Sequence, residues 1–325
     1  MTESTSSSTS SVQPRSQPET SGSEAENLVP DGDTRGRLGA GTGRQGNAEK
    51  NRLWRRFLRY RPGVVGLVFI VLLVTCSIAA PLLAPYAPEA VNPKLRGHGP
   101  TMAHWLGNDD IGRDILSRLI FGTRVALIVG LGATLIAVVI GVSVGATAGY
   151  FGGKIDFWLS RLIDTLMAFP LLALLLTLST VFGPSLRNVV IVIGCTVWAS
   201  YARVVRAEVL SLREMDYVLA ARSVGASNRS IIAKHIVPNA IGPVVIIASL
   251  SIGGIIILES ALSFLGLGVQ RPTASWGTML SDGREFIRNY PHIAIAPGLA
   301  IAFTVLAFNL VGDGLRDALD PREQH

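Results

Sequence analysis

Six stretches of the chain run almost free of charge for roughly the length a lipid bilayer demands, and this constrains the fold more than any other feature. A hydrocarbon core of ~30 Å needs about 20 mostly apolar residues at ~1.5 Å each. Such runs cover 64–83, 126–147, 162–181, 241–265 and 293–312, with a shorter one at 189–202. The short run continues into Arg203-Val-Val-Arg206, whose guanidinium groups can snorkel to the headgroups. It therefore counts as the fourth of six spans. Backbone polar groups in lipid must be satisfied internally, so the expected fold class is an all-α integral membrane bundle of six transmembrane helices.

Composition agrees with that reading. The 325 residues are 49% hydrophobic and 16% charged, against about a quarter charged in water-soluble domains. A formal charge of +6 does not mark a nucleic-acid binder, because the basic residues flank apolar runs instead of clustering with aromatics. With the Lys- and Arg-rich flanks on the inside, both termini are expected in the cytoplasm. Residues 1–50 are rich in Ser, Thr, Gly and Glu and poor in aliphatics, which predicts a disordered cytoplasmic tail with no apolar segment of a signal peptide. Residues 51–125 then hold the first span and an extracytoplasmic segment, and 126–325 a five-helix core. Cys76 and Cys195 sit within apolar runs and read as buried, inert thiols.

Several local patterns carry further expectations. Ile111, Ile115 and Leu119 recur at helical spacing with Arg113, Asp114 and Arg118 opposite, the pattern of a helix lying at the membrane interface. In the outer segment 266–291, Trp276 and Tyr290 read as interface anchors. Ala133, Ala137, Gly141, Gly145 and Gly149 recur every four residues, a stripe that lets a second helix approach closely; the plain alternative is flexible glycine without a partner. Glu259 falls ~27 Å along the fifth run, toward the outer leaflet. It either faces a pore mouth, where Ser263 and Trp276 are the companion candidates, or, the favoured reading, pairs with an arginine such as Arg271 or Arg124. Asp164 follows Arg161 at a spacing that pairs them on one helix face.

Enzyme signatures are missing from the sequence. The nearest approach to a phosphate-binding loop is Gly152-Gly153-Lys154, which continues into Ile155 where Ser or Thr is required. No His-Glu-x-x-His or nucleophile elbow occurs, and the five histidines lie outside the apolar runs. No catalytic residue and no metal site are expected.

The loop over 204–238 is long, basic and organised. It predicts a helix from Asp216 to Val224, Gly225 as a left-handed cap, and a second helix starting at Ser227 or Asn228 and running to His235. Pro238 then marks the approach to the fifth span. Spacing alone leaves two readings open, an ordinary structured loop or a lever that takes displacement from a separate motor.

The run Tyr217-Val-Leu-Ala-Ala-Arg-Ser-Val-Gly225, followed by His235-Ile-Val-Pro238, resembles the EAA loop of ABC importer permeases. Four further segments resemble signatures of the dipeptide and oligopeptide class. They are His104-Trp-Leu-Gly-Asn-Asp-Asp-Ile-Gly-Arg-Asp-Ile-Leu-Ser-Arg118, Gly149-Tyr-Phe-Gly-Gly153, Leu262-Ser-Phe-Leu-Gly-Leu-Gly-Val-Gln270 with Ser275-Trp-Gly277, and Gly312-Asp-Gly-Leu-Arg-Asp-Ala-Leu-Asp-Pro321. The likeness covers about 53–322 in order, and it is to the second of the two permeases such importers pair. Departures are Leu219 for the consensus glutamate, Val237 where leucine is commoner, and Arg271 where proline is usual.

The resemblance implies a permease subunit of an ATP-driven, binding-protein-dependent importer of di- and oligopeptides in the bacterial cytoplasmic (inner) membrane. It implies that Tyr217, Ala220, Ala221, Gly225, Ala226, Ser227, His235 and Pro238 contact the ATPase. Implied partners are a second permease, two ATPase subunits, an extracytoplasmic substrate-binding protein and the lipid bilayer, with no nucleic acid. ATP and Mg would reside on the ATPases and no cofactor on this chain. The alternatives are the same machinery carrying another small solute such as nickel complexes, or an ATP-independent secondary carrier built from inverted repeats.

Overall fold

A computed structural model describes residues 54–319, so the tail expected over 1–50 lies outside the described residues. Among those residues regular structure is helical, apart from one isolated bridge between Asn108 and Asp114. The principal helices are α1 Arg61–Ile78, α2 Ile115–Phe151, α3 Gly153–Ala168, α4 Leu171–Phe182 and α5 Leu186–Leu212. They continue as α6 Asp216–Ser223, α7 Asn228–Phe264, α8 Trp276–Gly283 and α9 His292–Leu319. Five of them are long and apolar enough to cross a membrane, and α3 with α4 supply a sixth crossing if the bent pair is counted as one.

That pair corrects the third expected span. Instead of one straight helix over 162–181, α3 and α4 meet at 90°. The break follows from Pro170, whose ring disfavours helical backbone at the residue before it. Phe169 accordingly adopts an extended conformation, φ −81° and ψ 138°. The fourth span is corrected in the other direction. The weak run at 189–202 lies inside the 27-residue α5, with Ser185 accepting from the Asn188 N–H at its start.

The second span also differs from expectation. Its helix is 37 residues long, ~55 Å at helical rise, and it takes in Ile115–Leu119 of the segment expected to lie flat at the interface, while Ile111 and Arg113 precede it in non-helical backbone. Asp114 begins it as a cap, accepting from the Ser117 N–H at 2.8 Å.

α2 packs most extensively on α5, while α9 lies against both α1 and α7. The close approach of α2 and α5 occurs at glycines. A Cβ on Gly141 would stand 2.5 Å from the Tyr201 Cβ, one on Gly145 2.5 Å from the Ala202 carbonyl oxygen, and one on Gly149 2.9 Å from that of Arg206. Backbone contact of this kind supplies the dispersion energy that replaces the hydrophobic effect inside lipid.

α3 is held differently, since Ile163 is its one buried residue. Two ion pairs fasten it to α5. Arg206 meets Asp156 at 2.7 Å, and Arg203 meets Asp164 at 3.0 Å. The second pair corrects the expected Arg161–Asp164 pairing: Asp164 faces α5, while Arg161 folds back over the Phe157 ring at 5.6 Å. The cysteines differ from expectation too. Cys76 is partly exposed and Cys195 exposed, because an apolar run does not say which side of a membrane helix meets protein.

Candidate functional site

The organised loop sits at the C-terminal end of α2. After α5 ends at Leu212, the Arg213 guanidinium donates to the Gly149 carbonyl at 3.0 Å, tying the turn to α2. α6 follows and closes in a left-handed turn, with Gly225 at φ +82°. Gly225 N–H donates to Arg222 O at 3.0 Å and Ala226 N–H to Ala221 O at 3.1 Å, the paired bonds of a Schellman motif. Ser227 then caps the next helix by accepting from the Ser230 N–H.

The extent of the second arm also differs from expectation. The second arm does not stop at His235 but continues through a wide turn at Ile232–Ile236 into α7, a single helix of 37 residues. The wide turn stands directly before Pro238, which offers no N–H and whose ring crowds the carbonyl one turn back. Asn239 uses its side-chain amide to occupy the His235 carbonyl. The loop is thus a two-arm unit whose second arm is the end of a membrane helix.

One side of this unit is buried. Val218, Ile231 and Ile236 are fully enclosed and pack with Ala146, Tyr150, Val205 and Val209. The other side is open: Tyr217, Ala220, Gly225, Ser227 and Pro238 are exposed, and Ala221, Ala226 and His235 are half-buried. Val224 at the tip is 88% exposed, with Met215 and Leu219 extending an apolar surface beside it. Sequence reasoning missed these three, because exposed aliphatics next to a membrane protein's spans look like more span. It also missed Tyr150, whose hydroxyl pairs with the Asn228 side chain at 2.9 Å and whose ring lies 5.5 Å beneath Arg222.

The other end of α2 carries the polar architecture of the opposite face. Arg113 meets Asp109 at 2.6 Å and Asp282 at 3.1 Å, and Asp282 is also paired with Arg271. Arg118, 1% exposed, lies 3.7 Å from both Asp109 and Asp282. Burial, followed by the neighbouring charges of Asp109 and Asp282, pushes the Asp110 carboxyl above its ordinary range. The cluster joins the segment before α2 to α8, which sequence patterning had separated into a surface helix and a distant loop.

Glu259, Ser263 and Trp276 are all buried within the chain. Glu259 does not pair with an arginine, correcting that expectation: Arg271 is engaged by Asp282, and Arg124 donates to the Ser77 and Ile78 carbonyls. Its carboxyl instead takes the Ser263 hydroxyl at 2.7 Å, and Ser263 accepts from the Val269 N–H. Trp276 is no interface anchor. It fills the notch left by Gly122 and donates its indole N–H to Leu119 O at 3.0 Å. Because the hydroxyl donors round Glu259 are satisfied equally by an amide oxygen, Glu259→Gln is expected to keep thermal stability within about 1 kcal/mol. Glu259→Ala, which strips Ser263 of its acceptor and leaves a void, should lose roughly 2 kcal/mol. Thermal unfolding followed by size-exclusion chromatography in detergent distinguishes the two.

Residues 137–325, more than half of the chain, match the family described as binding-protein-dependent transport system inner membrane component. The chain belongs to this family. It is a multi-pass membrane component of a transport system, acting with other subunits and not as a catalyst. Residues 51–100 match a second family, the N-terminal transmembrane domain of oligopeptide transport permease C. Among relatives of this permease, the dipeptide transport system permease protein of Alkalihalophilus pseudofirmus is 42% identical, over 83% of this chain and 88% of that protein. The glutathione transport system permease protein of Pectobacterium atrosepticum is 43% identical, over 83% and 90%. The oligopeptide transport system permease protein of Haemophilus influenzae is 40% identical, over 85% and 91%.

Proposed function

We propose that this permease forms one half of the transmembrane pathway of an ATP-driven importer for di- and oligopeptides. The relatives named for dipeptide, glutathione and oligopeptide transport support that cargo class. The assembly comprises a second permease, two ATPase subunits that hold ATP and Mg, and an extracytoplasmic binding protein that delivers peptide. It resides in the bacterial inner membrane. The basic residues Arg213, Arg222, Arg229 and Lys234 support a cytoplasmic position for the two-arm unit, with both termini on that side.

The observation that carries the mechanism is the exposed Gly225-capped pair whose second arm is continuous with α7. A motor that grips the Tyr217, Ala220 and Ala221 face of α6 passes its displacement to α7 through the tight Gly225-capped turn, with no long loop between them. The Tyr150–Asn228 bond and the Arg213–Gly149 bond carry the same displacement to α2, which ends at the opposite face beside the buried ionic cluster. Alternating access follows when the two permease halves rock about one another.

Purification of the chain from its native membrane tests the assembly: co-elution of two ATPases and a second permease is expected. Peptide uptake by this subunit alone, in proton-loaded vesicles, would establish a secondary carrier instead. The linkage is tested by Tyr150→Phe, which deletes only the hydroxyl paired with Asn228. Uptake per ATP hydrolysed is expected to fall roughly two- to fivefold, in line with one hydrogen bond. ATPase activity and membrane insertion stay near normal. An unchanged ratio would mean that α2 is not driven through Tyr150.

A further inference from the structure

A cavity of about 500 Å³ opens between the turn leading into α1, the part of α7 just after Pro238 and the end of α9. Trp54, Phe57, Leu67, Val245, Val311 and Leu315 line it, and its walls are almost wholly apolar. Beside it lies a polar recess formed by Arg56, Arg59, Tyr60 and Asp317. Arg55 and Arg61 flank the same turn and are exposed. Among the described residues none of these four arginines makes an ion pair.

The arginine-bearing turn is held in place by packing. Residues 54–59 are helical, and Phe57 is 4% exposed. A Cβ on Gly314 would stand 2.9 Å from the Phe57 ring and 3.1 Å from that of Tyr60, and one on Gly63 2.8 Å from Tyr60. Glycines on α1 and α9 therefore form a seat for Phe57 and Tyr60, which fixes the turn that carries the arginines beside the apolar cavity. Four arginines against Asp317 leave the rim positive.

We infer that this cavity is a binding site for an anionic phospholipid of the cytoplasmic leaflet, with an acyl chain in the apolar groove and the phosphate at Arg56 and Arg59. Basic residues just cytoplasmic of a span attract anionic lipid, and an arginine fork matches a phosphate ester. The adjoining groove is what turns a general attraction into a site. Its consequence is mechanical: Ile241, Gly242 and Val245 belong to the first turns of α7 after Pro238, so the lipid wedges the segment that the two-arm unit feeds.

The test uses the full-length chain in its purified complex, delipidated and titrated with palmitoyl-oleoyl phosphatidylglycerol or phosphatidylcholine, and read by native mass spectrometry. The acyl chains are identical, so only the headgroup differs. Phosphatidylglycerol is expected to bind on the order of tenfold tighter. Arg56→Gln with Arg59→Gln removes that preference. Val245→Trp, which fills the groove and keeps both arginines, weakens both lipids. Glycerol phosphate does not compete, because it lacks the chain. Equal retention of the two lipids, or an unchanged preference in the double variant, overturns the site.

A benzophenone amino acid at Leu315 in the otherwise unaltered chain decides the occupant without relying on variants that must refold. Photo-adducts to lipid support the inference. Adducts to the chain's own residues 1–53, or to another subunit, overturn it.

Discussion

Gly225→Asp is expected to abolish ATP-dependent peptide uptake while leaving the permease inserted and assembled. Gly225 is held at φ +82°, where an L side chain costs roughly 1–2 kcal/mol, and its N–H and that of Ala226 make the two bonds that set the angle between α6 and α7. Nothing lies within 4 Å of the position its Cβ would take, so the folded chain has room for the new side chain. The damage is therefore confined to the turn and to its outward surface. A carboxylate there stands at the negative end of α6 and beside the exposed Val224, on the face proposed to meet the ATPase. Gly225→Asn separates the two effects, since asparagine tolerates left-handed backbone and carries no charge. It should retain a substantial part of the uptake. Proteoliposomes loaded with ATP and supplied with binding protein and labelled dipeptide measure both variants. Normal uptake by Gly225→Asp would remove the unit from the mechanism.

The turn at Gly225 was readable because every signal for it is local: glycine after a short helix, a serine two residues on, and proline before the next span. The crossings were readable for a similar reason, since a bilayer imposes one length on each apolar run. What the sequence could not reveal depends on partners far away in the chain. Arg113, Asp114 and Arg118 read as the wet side of a surface helix because their charges suggest water on that side. Their burial depends in part on Asp282, 169 positions beyond Arg113, which joins the nearby Asp109 in closing the cluster. Trp276 read as an interface anchor for its chemistry, whereas the notch at Gly122 makes it a buried plug.

The bend in the third span lay between these cases. Pro170 was visible, but a proline within an apolar run can kink a helix slightly or end it outright. The 90° outcome reflects α3 being drawn onto α5 by Asp156 and Asp164, which leaves α4 to start afresh at Leu171. In the same way, Tyr150 stands in the Gly149-Tyr-Phe-Gly-Gly153 signature, but the signature does not say what the tyrosine touches. Its importance arises from the fold bringing Asn228 and Arg222 to one tyrosine at the end of α2.

The second large effect is expected at the opposite end of α2, where Arg113→Leu should destabilise the packing of α8 against the start of α2 by about 3–5 kcal/mol. That is the cost of leaving buried acids without their cation. Arg113 is 4% exposed and bonds Asp109 and Asp282 directly, at 2.6 and 3.1 Å, so its loss leaves buried Asp109 with no cation nearer than Arg118 at 3.7 Å and releases Asp282 to Arg271 and the same Arg118. Arg118 provides the contrast. It is buried more deeply, yet none of its guanidinium nitrogens has a hydrogen-bond partner among the described residues, and both of its acids stand at 3.7 Å. Its desolvation is poorly offset, so Arg118→Met, of similar length and apolar, should shift stability by about 1 kcal/mol or less. Thermal unfolding in detergent, together with proteolysis of the segment before α2, reads both variants. Equal losses for the two would mean that the cluster acts through total charge alone, and that the direct bonds of Arg113 do not hold α8 against the start of α2.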